Sequence, residues 1–276
     1  MSSSSTSVIE PQLRPARTVR RASLVTHGRP ELIGDALERV RRCAHEAGVE
    51  LVLGECPDPD VIVALGGDGT MLRALRGCLG APAPVFGVNF GRVGFLTSIP
   101  GSELEGGLAR VFSGNYRVVE LCTLAVRLGP DRHLAVNDVV VTSSKPGRMV
   151  ELGWEIGGED LGRLPCDGMI CATPTGSTAY NLSNGGPVMM WGLEAMAITF
   201  VAPHSLDARP LVVPRGLDLR VSNRTPDLAV AVLVDGHEVG ELAPGGAAEI
   251  ALAAESSLLA LLPEVTFFGR YHDVFV

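Results

Sequence analysis

The chain has 276 residues, enough for one large or two modest domains with a buried core. Its hydrophobic content of 46% marks a globular protein, and a net charge of −8 argues against the basic patch that nucleic-acid binding leaves. No apolar run approaches the roughly 20 residues of a membrane span. No export signal is legible either, so neither nucleic acid nor membrane is an expected partner and the cytoplasm is the expected compartment.

Residues 1–20 begin Ser-rich and read as a disordered tail. From residue 22 strands and helices alternate. Residues 22–26 read as a short strand and 31–46 as a helix with apolar positions at Leu32, Ile33, Ala36, Leu37, Val40 and Ala44, stopped by Gly48. Buried strands follow at 51–53 and 61–65, then a helix at 70–79, a strand at 85–88 and a helix at 103–112 ending at Gly114. This alternation predicts a parallel sheet covered on both faces, a doubly wound α/β domain over residues 21–114.

Beyond it the pattern becomes β-type, with runs at 116–128, 134–142, 150–156, 169–172, 197–201, 211–213, 217–222, 229–234 and 248–252. Asp235-Gly236 and Pro244-Gly245-Gly246 supply hairpin turns. These runs predict a β-sandwich-like, β-rich second domain over residues 115–257. Residues 258–276, apolar and aromatic, are expected to pack back onto the first domain. No internal repeat is visible.

Cys43, Cys56, Cys78, Cys122, Cys166 and Cys171 form no CxxC pair and no metal-ligand spacing with His. Buried free thiols are expected, and no protein-built metal site. Lys145 is the only lysine, which removes the P-loop, and no GxGxxG fingerprint is present. Any nucleotide is held some other way.

The chemistry lies in two glycine-rich segments. Gly66-Gly67-Asp68-Gly69-Thr70 follows the apolar run 61–65 and opens a helix, which places it at the carboxyl edge of the sheet, where open α/β sheets bind ligands. Its glycines let backbone N–H groups approach phosphate oxygens, and the helix N-terminus favours anions. Asp68 repels phosphate, so it reads as a Mg²⁺ ligand or as the base for an attacking hydroxyl. The second segment, residues 173–180, offers the hydroxyls of Ser177, Thr178 and Tyr180 for ribose and base recognition, and the Tyr180 ring for stacking. Asn137-Asp138 can read an adenine edge and a ribose diol, or simply open a strand. Asp167 is a turn residue or an amide-recognising carboxylate. His204 orients a phosphate or sugar, or is structural; Arg92 contacts phosphate or is a surface residue.

Assembled in order, GGDGT (66–70), GVNFGRVGFL (87–96), NDVVV (137–141), DGMICATPTGSTAYNLSNGGP (167–187) and PHSLDARPLVV (203–213) resemble the NAD kinase family. Diacylglycerol kinases, sphingosine kinases and phosphofructokinases look similar at GGDGT; the TPTGSTAY segment separates NAD kinases from them. The resemblance implies an α/β domain, a β-sandwich-like domain and transfer of the γ-phosphoryl of ATP, with Mg²⁺ or another divalent cation, to the adenosine 2′-hydroxyl of NAD. It implies Asp68 as catalytic base or metal-organising carboxylate, between Gly67 and Gly69 of the phosphate loop. Asn137, Asp138 and Ser177 would hold the adenosine half; Asp167, Thr178, Ala179 and Tyr180 would contact the rest, with His204 nearby. Homodimers or homotetramers are common in the family, and a neighbour can complete the site. A lipid or sugar kinase sharing GGDGT, and a non-catalytic NAD-binding sensor, are the alternatives. Asp138 stands where Glu is frequent, Asn184 replaces a small residue, and Pro165 stands where an Arg is often found.

Overall fold

The computed structural model describes residues 13–14, 16–26, 33–54, 56–91, 94–145 and 147–276. The first unit runs β1 (Leu13–Arg14), β2 (Arg21–Thr26), α1 (Ala36–Ala47), β3 (Glu50–Leu53), β4 (Val61–Leu65), α2 (Asp68–Gly77), β5 (Val85–Asn89), β6 (Ile99–Pro100) and α3 (Leu104–Phe112). Strands β3-β2-β4-β5 lie side by side and parallel. Helices α1 and α3 bury Val40, Leu104 and Leu108 on one face, and α2 buries Met71 and Leu75 on the other. This is a doubly wound arrangement. The chain leaves β2 for β3 on one side and returns to β4 on the other, so the order reverses between β2 and β4, where such sheets hold ligands. The GGDGT loop leaves β4 at that point.

The second unit comprises β7 (Arg117–Leu128), β8 (Asp131–Ala135), β9 (Asp138–Ser143), β10 (Val150–Ile156), β11 (Glu159–Cys166), β12 (Gly168–Ala172), α4 (Tyr180–Ser183), β13 (Ala195–Val201), β14 (Leu211–Pro214), β15 (Leu219–Asn223), β16 (Val230–Val234), β17 (His237–Leu242) and β18 (Ala247–Leu261). The chain closes with α5 (Phe267–Phe275). One antiparallel sheet has the order β14-β13-β12-β9-β16-β17. It packs Val139, Met169, Ile198 and Val232 against Leu124, Leu152, Val221 and Ile250 of the other sheet, which forms a β-sandwich. Strand β18 joins the units. It pairs with β15 and β7 along its length and then runs parallel to β5 at Leu259 and Ala260.

Several elements differ from the sequence expectation for physical reasons. Strand β18 does not end at 252; a register irregularity between Leu252 and Ser256 breaks its alternation without ending its pairing with β7. Strands β11 and β17 were not expected. Both are sheet edges with mostly polar, exposed faces, and β11 carries Pro165, which only an edge tolerates easily. The run 134–142 divides at Val136-Asn137, where the chain turns from β8 into β9. Helix α2 starts at Asp68, with Gly67 as its N-cap, because the loop's own Asp and Gly already form the first helical turn.

The expectation of a disordered tail over 1–20 is corrected where the chain is described. Leu13 and Arg14 pair with Val119 and Val118 of β7, and Val19 is 4% exposed with its N–H donating to Phe112 O at 3.1 Å. Residues 1–12 and 15, and residues 31–32 of the expected first helix, lie outside the described residues. The cysteines are free among these residues, four of them buried; burial pushes the Cys78 thiol up to about 11 and Cys166 up to about 12, which keeps them protonated core groups. No described helix is long and apolar enough to cross a membrane.

Candidate active site

Asp68 is the first residue of α2, half-buried at the end of β4. Its carboxylate is fixed by a different loop: Oδ2 accepts from Phe95 N at 2.8 Å and Oδ1 from Leu96 N at 3.1 Å. The approach is close enough that a Cβ on Gly94 would stand 2.2 Å from Oδ1, so only glycine fits there. By contrast, a Cβ on Gly67 or Gly69 would meet nothing within 4 Å. The protein leaves open space over those glycines, at the N-terminus of α2.

The Phe95 ring that follows Gly94 is anchored among aromatic rings, with centroids 6.4 Å from Trp191, 5.8 Å from Phe267 and 5.5 Å from Phe275. Trp191 belongs to the segment after the second glycine-rich loop, and the two phenylalanines belong to α5. From the same helix Arg270 donates through Nη2 to Thr97 O and Ser98 O, both at 2.6 Å. Burial pulls its guanidinium pKa down, against the raising influence of Asp273 and Asp68, and its buried Nε has no hydrogen-bond partner among the described residues. Helix α5 thus clamps the loop that orients Asp68.

The second loop sits on the turn between β8 and β9. A Cβ on Gly176 would fall 2.1 Å from Asn137 O, so this glycine permits backbone-on-backbone contact. Thr173 completes the contact: its N–H donates to Asn137 O at 2.8 Å and its hydroxyl to Val136 O at 2.6 Å. The side chains of Asn137 and Asp138 are left to act. The buried Oδ1 of Asn137 lacks a hydrogen-bond partner among the described residues, which marks an acceptor awaiting a donor. Asp138 is 6% exposed, and burial, with the charge of Asp235 second, pushes its carboxyl up to about 7.

Other expected residues fare differently. The Ser177 hydroxyl is fully buried and committed to the loop: it donates to Pro174 O at 2.6 Å and accepts from Met189 N at 2.9 Å. It shapes the loop instead of reaching out from it. Thr178, half-buried, donates to Thr175 O at 3.3 Å; Ala179 is half-buried, and Tyr180 is 45% exposed at the start of α4. Asp167 and His204 are exposed at the far end of β12, where Asp167 N donates to Val201 O and His204 N to Pro165 O. The register puts Gly168 opposite Thr142 and Ala172 opposite Asp138. Asp167 and Thr173 are therefore separated by about 20 Å of extended chain at ~3.3 Å per residue. The fold brings Asp68, Phe95 and Trp191 together, ties the 173–180 loop to the Trp191 segment through Ser177 and Met189, and leaves Asp167 and His204 at the other end of β12. Arg92 lies outside the described residues.

Sequence reasoning missed Asn181, which is fully buried. Its Nδ2 donates to Ser177 O and Pro187 O, and its Oδ1 accepts from Thr199, which ties the loop to β13. It also missed Arg270, whose only signal was a cation inside an apolar, aromatic stretch.

A doubly wound sheet with an oriented carboxylate at its switch point, joined to a sandwich with a buried Asn-Asp turn, is an arrangement suited to a two-part phosphotransferase of nucleotides. Comparison with known proteins narrows the class. The description "ATP-NAD kinase N-terminal domain" matches residues 39–116 and "ATP-NAD kinase C-terminal domain" matches residues 136–261. The chain is 40% identical over 243 residues to the NAD kinase of Heliobacterium modesticaldum, across 86% of this chain and 85% of that one. It is 40% identical over 218 residues to that of Gemmatimonas aurantiaca, across 76% and 75%. An NAD kinase from Archaeoglobus fulgidus, solved in complex with ATP, superposes with a TM-score of 0.78 at 29% identity, covering 92% of this chain and 99% of that one. Yeast NADH kinase complexed with NADH gives 0.82 at 22% identity over 92% and 87%, a likeness of fold. The chain belongs to the NAD kinase family, and the lipid-kinase, sugar-kinase and sensor alternatives are not favoured.

Proposed function

We propose that this enzyme transfers the γ-phosphoryl group of ATP to the 2′-hydroxyl of the adenosine ribose of NAD, forming NADP, with Asp68 as the base that takes the hydroxyl proton. The observation that carries this reading is the grip of Phe95 N and Leu96 N on the Asp68 carboxylate. Two N–H donors keep it aimed, and a half-exposed carboxylate at a switch point is placed to act on a ligand. Phosphoryl transfer rests on positioning and charge stabilisation. The open glycines of the loop would cradle the donor's phosphates, Asn137 would accept from the adenine amino group, and Asp138 would accept from the ribose. Tyr180, Thr178 and Ala179 would line the remaining length of the dinucleotide.

The donor set fits Mg²⁺ arriving with the nucleotide. Among the described residues no group of three His, Cys, Asp or Glu could hold a metal alone, and Mg²⁺ typically takes one or two carboxylates plus waters and phosphates. Asp68 is the carboxylate the loop offers. When bound, the ion would offset the phosphate charge.

Oligomerisation is part of this proposal. Asp167 and His204, at the other end of β12, would serve a neighbour's site in a homodimer or homotetramer acting in the cytoplasm. The division into modules 21–114 and 115–257, with 258–276 returning to the first, also belongs here; β18 is the strand they share. Mixing inactive Asp68→Asn with inactive Asp167→Asn protein should restore part of the activity. A protein that is monomeric by light scattering and shows no restoration would remove this element.

The reaction is tested by mixing the purified protein with NAD and Mg-ATP and reading NADP with an NADP-specific dehydrogenase. NADP that requires both substrates and the cation supports the reading. Binding of NAD without NADP formation would overturn it.

A further inference from the structure

Asp235 opens the turn between β16 and β17, with φ +48 followed by +80 at Gly236. Both values fit a two-residue hairpin turn for which Asn or Gly would serve equally well. Turn chemistry does not explain why a carboxylate stands there with its side chain 0% exposed. Burying an ionised group is costly unless it is paired and hydrogen-bonded.

The carboxylate's partners supply the explanation. Oδ2 accepts from Val136 N at 3.0 Å, and Oδ1 accepts from Asn137 N at 2.7 Å and Asp138 N at 3.2 Å. In return Asp235 N donates to Asp138 O at 3.0 Å. Thr173 holds the carbonyls of Val136 and Asn137 from the other side, so the backbone of this turn is gripped through its donors and its acceptors alike. The remaining partner is Arg76, with Nε 3.4 Å from Oδ2, and Arg76 Nη1 lies 2.9 Å from His237 Nδ1. Arg76 is in the last turn of α2, the helix that begins at Asp68. Eight residues of rigid helix, about 12 Å at ~1.5 Å per residue, connect Asp68 to Arg76, the partner of Asp235.

We propose that Asp235, braced by Arg76, is the positioning residue of the nucleotide-recognition turn, and that it fixes Asn137 and Asp138 in register with Asp68. The inference rests on the reading of that turn as the NAD-recognition site. It assigns to a hairpin residue in a separate part of the chain the task of setting the distance between the acceptor nucleotide and the base. Burial first, and the charge of Asp235 second, push the Asp138 carboxyl up to about 7, so Asp235 adds to the tuning of the group it places.

The test compares Asp235→Asn and Arg76→Gln with the wild type by steady-state kinetics, NAD titration calorimetry and thermal melting. Asparagine keeps the shape but offers one acceptor oxygen and sets an NH₂ group against a backbone N–H. The KM and Kd for NAD should rise about 10–100-fold in Asp235→Asn, while the KM for Mg-ATP stays within about twofold. Arg76→Gln should show the same split at a smaller amplitude. A folded Asp235→Asn protein with wild-type NAD affinity, or one in which the NAD and ATP parameters worsen together, would overturn the proposal. Should Asp235→Asn fail to fold, Arg76→Gln decides by the same criterion. If the wild type binds NAD but makes no NADP, the kinase reading fails, and the difference in Kd between wild type and variant still tests the positioning role.

Discussion

Asp68 and Asp235 are treated alike by the backbone and differently by solvent. Each carboxylate accepts N–H groups from a loop distant in sequence: Phe95 and Leu96 for the first, Val136 through Asp138 for the second. Asp68 stays half-exposed beside open glycines, whereas Asp235 is sealed in and ion-paired. The contrast separates two uses of one motif. Where a loop holds a carboxylate and leaves a face open, the loop serves the carboxylate's chemistry; where the carboxylate is sealed, it serves the loop's geometry.

The comparison breaks first at Asp68. Asp68→Asn should lose about 10²–10⁴-fold in turnover, the usual contribution of a positioned base, while NAD affinity and melting temperature hold. Wild-type turnover in that variant would remove Asp68 as the base. Next comes Gly94→Ala. The added Cβ would lie 2.2 Å from Asp68 Oδ1, so the carboxylate must move. A displacement near 1 Å can cost on the order of 10²-fold in rate, and kcat should fall more than NAD affinity. An unchanged kcat would show that the grip on Asp68 is dispensable.

A smaller effect sharpens the sandwich side of the comparison. The Asp138 carboxyl, raised to about 7 by burial and Asp235, is protonated below that pH and ionised above it. Ribose hydroxyls donate better to the ionised form, so the KM for NAD should fall about tenfold for each unit the pH climbs toward 7 and level off above it. Stability should run the other way. The folded state holds this proton more tightly than the unfolded chain does, so the ligand-free protein loses stability as pH rises from the ordinary carboxylate range to about 7. Asp138→Asn should flatten both profiles; a pH-independent KM in the wild type would assign the ribose contact elsewhere.

Most of this architecture is legible in the residues because local pattern and burial agree. The parallel strands are short apolar runs between helical periods, and the GGDGT loop falls at the end of one of them. Edge strands β11 and β17 were illegible because an edge has little apolar face to reveal it. In the site, Asn137 and Asp138 could be singled out as an unusual polar pair before a buried strand. Asp235 looked like an ordinary turn residue, since the amides it accepts from lie about a hundred positions away in the chain. Arg270 was hidden similarly, because its carbonyl partners at Thr97 and Ser98 are joined to it only by tertiary folding. Long-range hydrogen bonds leave no periodicity behind.

Ser177 gives the finest division between shaping a site and touching its ligand. Sequence places it in the adenosine-binding segment, but its hydroxyl is fully buried between Pro174 O and Met189 N. Removing that oxygen leaves the Met189 N–H without its acceptor, a loss of about 1–3 kcal/mol. Ser177→Ala should therefore lower the urea midpoint while the KM for NAD changes less than about threefold. A variant of unchanged stability with a sharply raised KM would mean that the hydroxyl turns outward to the nucleotide, and that the loop has a second arrangement in the bound enzyme.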